Sequence, residues 1–137
     1  MIYLRKYYLF KIKENNLSVN KNNLYDVLEE LFYLSTNKFN YGIKIFDDLC
    51  LKIDKDKLIN NLKNKYEYQN NQILIEDLEN TVIKIKKSFI LIETSKNAPS
   101  VFKYLNELEN NLFVCDFSNK DFFWLNEFVR LNLKISI

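Results

Sequence analysis

The sequence predicts a single α+β domain over residues 1–137, with helices packed against a mixed β-sheet of about five strands. In the first half, three stretches repeat their apolar residues at the spacing of an amphipathic helix. Short runs of β-branched and aromatic residues, which are typical of strands, begin the chain and fill much of its second half. A strand, a helix and another strand follow in that order near the end, which indicates a βαβ unit.

The first predicted strand covers residues 7–13, which are aromatic and β-branched and end in alternating lysines. The asparagine-rich residues 14–23 favour a loop or a short irregular helix. A helix is predicted from Leu24, capped by Asn22 or Asn23, with Asp26 in its first turn. Its apolar positions are Leu24, Val27, Leu28, Leu31 and Leu34.

Two further helices are predicted before the chain changes to strands. The second follows Gly42, the only glycine, and the third follows Asp54 or Asp56 as its N-cap. The apolar positions of the second helix are Ile43, Phe46, Leu49, Cys50 and Ile53. Those of the third helix are Leu58, Ile59, Leu62 and Tyr66. Both sets repeat at three and four residues, so each helix should bury one face.

The second half of the chain predicts four strands and one helix. Residues 73–75 form a short apolar run, residues 77–80 a turn, and Ile83 and Ile85 alternate with lysines as in a half-buried strand. Residues 89–92 and 112–115 are apolar on both faces, which favours central strands that run parallel as neighbours. Between them, Pro99 begins a helix whose apolar positions are Val101, Phe102, Leu105 and Leu108. Residues 127–137 predict a last strand or a loose extension.

Composition disfavours several kinds of partner and compartment. The formal charge is only +2, from 20 basic and 18 acidic residues, so the chain has little long-range field for attracting polyanions. Arg5 and Arg130 are the only arginines, which disfavours bidentate recognition of bases or phosphates. No apolar run is long enough to span a membrane, and the first ten residues lack a secretory pattern, so a cytoplasmic protein is expected.

The residue types needed for common active sites are scarce. The chain has no histidine and one glycine, so a phosphate-binding glycine loop is excluded. The cysteines, Cys50 and Cys115, have no CxxC spacing and lie in apolar patterns, which predicts buried thiols rather than a metal site or a nucleophile. The carboxylate pairs at residues 29–30 and 47–48 are expected on solvated helix faces. We therefore expect a protein that is not an enzyme and needs no cofactor, metal or small-molecule substrate.

Several short motifs resemble one protein family. Tyr7 and Tyr8 stand in a strand that runs into Lys13 and Glu14, and residues 90–93 read Ile-Leu-Ile-Glu before a helix and a strand. Near the end, residues 116–120 read Asp-Phe-Ser-Asn-Lys and residues 124–126 read Trp-Leu-Asn. Together these motifs resemble the sporulation inhibitor of replication family, SirA. A single SirA-like domain is the expectation that follows.

The resemblance implies a small cytoplasmic protein of Bacillota that is not an enzyme. It implies binding to the amino-terminal domain of the replication initiator DnaA, which blocks initiation in connection with sporulation. The family's contact surface combines the segment after the first strand with residues beside the tryptophan motif. Transferred to this sequence, the implied contact residues are Asn16, Leu17, Val19, Asn20, Asn126, Glu127 and Phe128.

The other motif residues are expected to act structurally. Asp116 and Asn119 can stabilise the turn after the last core strand through hydrogen bonds to nearby amides. Trp124 is expected to pack beneath the motif and order Asn126, and the alternative is direct contact with the partner. The full structural set is Tyr7, Tyr8, Asp116, Phe117, Asn119, Trp124 and Leu125.

Two alternative functions remain open at this point. A basic sheet with aromatic platforms could hold single-stranded nucleic acid, and the lysines concerned are Lys84, Lys86, Lys87 and Lys96. Lysine at alternate strand positions more commonly marks a solvated face, so direct nucleic-acid contact is not expected. The other alternative is an intracellular interaction domain with a different protein partner.

Overall fold

The structure is a computed structural model that describes residues 4–34, 39–75, 80–97 and 99–135. The strands are β1 (Arg5–Ile12), β2 (Cys50–Leu51), β3 (Glu67–Gln69), β4 (Gln72–Ile75), β5 (Thr81–Ile85), β6 (Ile90–Thr94), β7 (Leu112–Asp116) and β8 (Asp121–Trp124). The helices are α1 (Lys21–Phe32), α2 (Phe39–Leu49), α3 (Lys55–Lys63), α4 (Val101–Leu108) and α5 (Leu125–Ile135). A 3₁₀ turn, Glu14–Asn16, lies between β1 and α1.

The α+β fold class is confirmed, but the sheet differs from the prediction. The strands follow the order β3-β4-β5-β6-β1-β7-β8, β2 pairs with the end of β1, and every pairing is antiparallel. The predicted parallel neighbours, β6 and β7, are separated by β1, where Leu9 pairs with both Ile90 and Val114. The predictions of a mixed sheet and of about five strands are therefore wrong. Local patterns could not show that β1 inserts between two later strands.

Helices cover both faces of the sheet. One apolar cluster joins the sheet to α3, α4 and α5, and the other joins it to α1 and α2. Neighbouring residues on β1 enter opposite clusters, Leu9 the first and Phe10 the second, as alternation along a strand requires. Every residue of β7 is buried because helices lie on both sides of it. Among the described helices, none is both long and apolar enough to cross a bilayer.

The first helix begins earlier than predicted. It starts at Lys21, and its N-cap is Asn20, whose side-chain oxygen accepts a hydrogen bond from the backbone N–H of Asn22 at 2.8 Å. The predicted caps, Asn22 and Asn23, are therefore inside the helix. The apolar spacing marked only the buried face, so it missed the polar first turn.

The second helix ends at Leu49 rather than continuing to Ile53. Cys50 leaves the helix and pairs with Ile12 at the end of the first strand. Gly42 lies within this helix, not before it. A Cβ at this position would stand only 2.5 Å from the Cδ2 atom of Leu34. Glycine thus allows the second helix to approach the end of the first closely.

Of the two caps predicted for the third helix, Asp54 is the one found, since it accepts a hydrogen bond from the backbone of Lys57 at 3.3 Å. The helix ends at Lys63, so Tyr66 follows it. Helix α4 starts at Val101, two residues after Pro99. In the predicted turn at residues 77–80, only Asn80 belongs to the described residues.

The tail forms α5, so the prediction of a last strand or a loose extension is wrong. Leu125 and Val129 lie one helical turn apart and are both buried against the sheet. Phe128 joins them on the same side of the helix. These positions follow helical spacing, whereas the prediction placed too much weight on alternation.

Candidate partner-binding surface

The first implied contact segment follows β1 and is exposed. The side chains of Leu17 and Val19 are 37% and 36% exposed, although both are apolar. Asn16 faces the end of α2, where its Nδ2 donates a hydrogen bond to the carbonyl oxygen of Asp48 at 3.0 Å. Asn16 therefore anchors the segment, while Leu17 and Val19 remain open to solvent.

The second implied segment is the first turn of α5. Asn126 is exposed, and its Oδ1 accepts a hydrogen bond from the backbone N–H of Glu127 at 3.0 Å. Phe128 is half-buried because its ring stacks on Phe123 at 4.6 Å and meets the edge of Phe102 at 5.7 Å. Phe128 thus anchors the helix, and the polar residues ahead of it face outward.

An ion pair brings the two segments together. Lys21 Nζ lies 3.2 Å from Glu127 Oε2, and it links the start of α1 on one sheet face with the start of α5 on the other. The pair spans the free edge of β8, the last strand of the sheet. Both side chains are exposed, so the ion pair adds little to the stability of the fold. Its value is geometric, because it shows that the starts of α1 and α5 are neighbours.

We call the region joined in this way the α1–α5 surface, which consists of Leu17, Val19, Asn20, Lys21, Asn126 and Glu127. Sequence reasoning missed Lys21, although it identified the other five residues. A contact between residues so far apart in the chain leaves no local pattern. The ion pair places Glu127 of the second segment next to Lys21, which follows Asn20 of the first, and Asn16 and Phe128 make anchoring contacts.

The turn after β7 is organised by a buried carboxylate. Asp116 is 1% exposed and accepts hydrogen bonds from the backbone N–H of Asn119 at 3.3 Å and from its Nδ2 at 2.7 Å. Arg5 Nη2 lies 3.3 Å from the same carboxylate. The two hydrogen bonds from Asn119 close the turn, and Lys120 at its end lies in the left-handed region with φ of 53°. Strand β8 begins at the next residue, Asp121.

Most of the motif's aromatic residues lie within the core. Trp124 is 9% exposed and packs edge-on against Phe113 at 5.1 Å, so little of its ring is open to a partner. Leu125, Tyr7 and Phe117 are buried, whereas Tyr8 is half-buried. Tyr7 also donates a hydrogen bond from its hydroxyl to the carbonyl oxygen of Asn97 at 3.0 Å. No hydrogen bond between Trp124 and Asn126 is found in the described part of the chain.

The paired carboxylates do not form an acid–base site. Asp47, Asp48 and Glu30 are exposed, as expected of a solvated face. Glu29 departs from that expectation because it accepts a hydrogen bond from the Tyr25 hydroxyl at 2.8 Å and pairs with Lys120 Nζ at 3.2 Å. These two contacts lower the pKa of Glu29. Burial, and then the hydrogen bond to Glu29, raise the pKa of Tyr25. A general acid or base near neutral pH would need the opposite shifts.

Both cysteines are buried free thiols, as predicted. Burial raises the pKa of Cys50 to about 12 and also raises the pKa of Cys115. Thiolate, not thiol, is the reactive species, and neither site stabilises it. Within the described ranges, no three metal-ligating side chains cluster together.

We predict that both thiols of the native chain resist Ellman's reagent at pH 8. Each should react at least about 100-fold more slowly than a free thiol, because burial limits both ionisation and access. In guanidinium chloride both should react fully, which provides the control. Fast reaction of either cysteine in the native chain would contradict its burial.

The lysines of the nucleic-acid alternative do not form one basic platform. Lys84 lies 2.9 Å from Glu93 on the neighbouring strand, so its charge is balanced. Lys86, Lys87 and Lys96 are exposed in connections outside the strands. These three lysines are therefore solvated side chains of connecting segments, not part of a basic face on the sheet.

No protein-family model matches the chain, and a comparison with curated proteins found no significant match. A functional proposal therefore depends on the sequence motifs and on the α1–α5 surface.

Proposed function

We propose that this chain is a protein inhibitor of DNA replication initiation that binds the amino-terminal domain of DnaA. The motifs that resemble the SirA family suggest the partner and the link to sporulation. In this proposal the chain acts stoichiometrically, by covering a docking face of the initiator and preventing productive assembly at the origin. Such action needs neither catalysis nor a cofactor.

The observation that carries the proposal is the contact between Lys21 and Glu127 at 3.2 Å. The SirA resemblance implies a contact surface made from two segments that are far apart in sequence. Glu127 belongs to the second segment, and Lys21 directly follows Asn20, the last implied contact residue of the first segment. A partner that contacts Glu127 can therefore also reach the start of α1, beside Asn20.

The chemistry of this surface suits a protein partner. Leu17 and Val19 are apolar and exposed, and asparagines lie on either side of them in the chain. Apolar side chains with a polar surround resemble the centre and rim of a protein interface. Lys21 and Glu127 add one charge of each sign, so binding should depend only weakly on salt.

The direct test mixes the purified chain with the isolated amino-terminal DnaA domain from the same organism. We expect a complex at micromolar concentrations, measured by isothermal titration calorimetry. Replacing both Leu17 and Val19 with Asp should weaken it at least about thirtyfold, because charge at the centre of an interface removes an apolar contact and must be desolvated.

Tyr41→Asp is the matched control, since Tyr41 is 54% exposed and its neighbour Gly42 packs on Leu34, beyond the end of α1 that is opposite Lys21. It should bind like the original chain, and circular dichroism should show all variants folded. Absence of a complex at tens of micromolar would refute the proposal. Equal binding by the double variant would mean that another surface is used.

A further inference from the structure

A cleft separate from the α1–α5 surface opens between α1, α2 and the sheet. Its volume is about 580 Å³, and pockets for small organic ligands span roughly 300–1,000 Å³. The floor is aromatic and is formed by Tyr8 and Phe10 of β1 with Phe89, which precedes β6. Tyr8 and Phe89 meet edge to face at 5.4 Å, so the floor is a packed surface.

The walls of the cleft are apolar. Helix α1 contributes Leu28 and Leu31, and α2 contributes Ile43 and Phe46. Ile43 is 43% exposed although it lines an apolar cavity, so its side chain is available to a ligand. An aliphatic chain placed here would exchange water for these side chains, which is favourable in proportion to the apolar area covered.

The margin of the cleft carries charge. Lys52 and Lys87 line it together with Ser88 and Asp47, which gives an excess of one positive charge. The backbone N–H of Ile53 donates to the carbonyl oxygen of Lys87 at 2.7 Å, so the segments that carry the two lysines are tied together. Neither lysine forms an ion pair with another described residue, and both are exposed.

We propose that this cleft binds a small amphipathic carboxylate, an aliphatic chain with a single anionic head. The chain occupies the space between the aromatic floor and the helices, and the carboxylate lies at the margin beside Lys52 and Lys87. Ser88 offers a hydroxyl donor at the same margin. The anionic head of the ligand matches the cationic margin of the cleft, and its aliphatic tail matches the apolar interior. The inference does not depend on the proposed DnaA partner.

Decanoate, below its micelle concentration, is the probe. Titration calorimetry should show saturable binding at one site, with decanol and decyltrimethylammonium binding at least about fivefold more weakly, because they lack the attraction of an anion to lysine. The double variant Lys52→Glu with Lys87→Glu should lose about tenfold in decanoate affinity, since two attractions become repulsions.

Lys86→Glu is the matched control, because Lys86 neighbours Lys87, is exposed, and does not line the cleft. It should change decanoate affinity by less than about twofold, as expected of a screened charge. Asp47→Asn should instead raise the affinity. Absence of binding by the original chain at 1 mM decanoate, or equal binding of decanoate and decyltrimethylammonium, would overturn the proposal. Unchanged binding by the double variant would also overturn it.

Discussion

Replacing Phe102 with Ala is expected to lower the free energy of unfolding by about 3–5 kcal/mol, the usual cost of a large cavity in a core. Phe102 is buried in α4, and its ring meets Tyr7, Phe123 and Phe128 edge-on, with centroids 5.2, 6.1 and 5.7 Å away. The substitution removes all three contacts together. Guanidinium denaturation should show a lower midpoint with an unchanged slope.

The same change should loosen the first turn of α5, because Phe128 loses one of its two aromatic neighbours. Phe32→Ala is the matched control, since Phe32 also contacts three rings, Phe117 at 4.4 Å and both Tyr8 and Tyr33 at 4.9 Å, but is 42% exposed. It should cost about 1–2 kcal/mol, because loss of a partly exposed ring leaves no closed cavity. Equal losses for the two variants would show that Phe102 is not a central packing residue.

Asp116→Ala is expected to cost about 3 kcal/mol or more, the range found when one member of a buried ion pair is removed. The carboxylate holds Arg5 and, through two hydrogen bonds, Asn119. Without it, Arg5 keeps the 2.7 Å hydrogen bond from Nη1 to Asn97, while its buried Nε already lacks a partner among the described residues. Thermal unfolding followed by circular dichroism measures the loss.

Asp121→Ala provides the control for this carboxylate. Asp121 pairs with Asp116 across β7 and β8, but it is exposed and its side chain contacts the backbone N–H of Phe122. Its removal should cost about 0.5 kcal/mol or less, as is usual at the surface. If both variants were equally stable, the pair between Arg5 and Asp116 would contribute nothing to the fold.

Local patterns predicted the elements whose residues repeat over several turns or alternations. Leu58, Ile59 and Leu62 showed the buried face of α3, and Ile83 and Ile85 showed that of β5. The two-residue strand β2 and the three-residue strand β3 are too short for any repeat to appear. The hairpin between β3 and β4 did leave a signal, the Asn-Asn pair at residues 70–71, which adopts φ of 54° and 63°.

The candidate site was predictable in part for similar reasons. A motif can suggest that Asp116 and Asn119 share a turn, because they are three residues apart. It cannot show that Lys21 reaches Glu127, since that contact depends on α1 and α5 both flanking β8. The cleft was also invisible in the sequence, because Phe89 and Ile43 meet there only after the sheet and helices have assembled.

The central position of β1 has a consequence for how the chain acquires its fold. Its hydrogen-bonding partners, β6 and β7, lie far downstream, so β1 leaves the ribosome long before either partner exists. Tyr7, Leu9 and Phe10, which are buried in the native fold, then stay exposed while the rest of the chain is made, and such surface is prone to aggregation. Distant pairing of this kind also raises the entropic cost of completing the sheet, so refolding should be slower than that of a helical bundle of the same length.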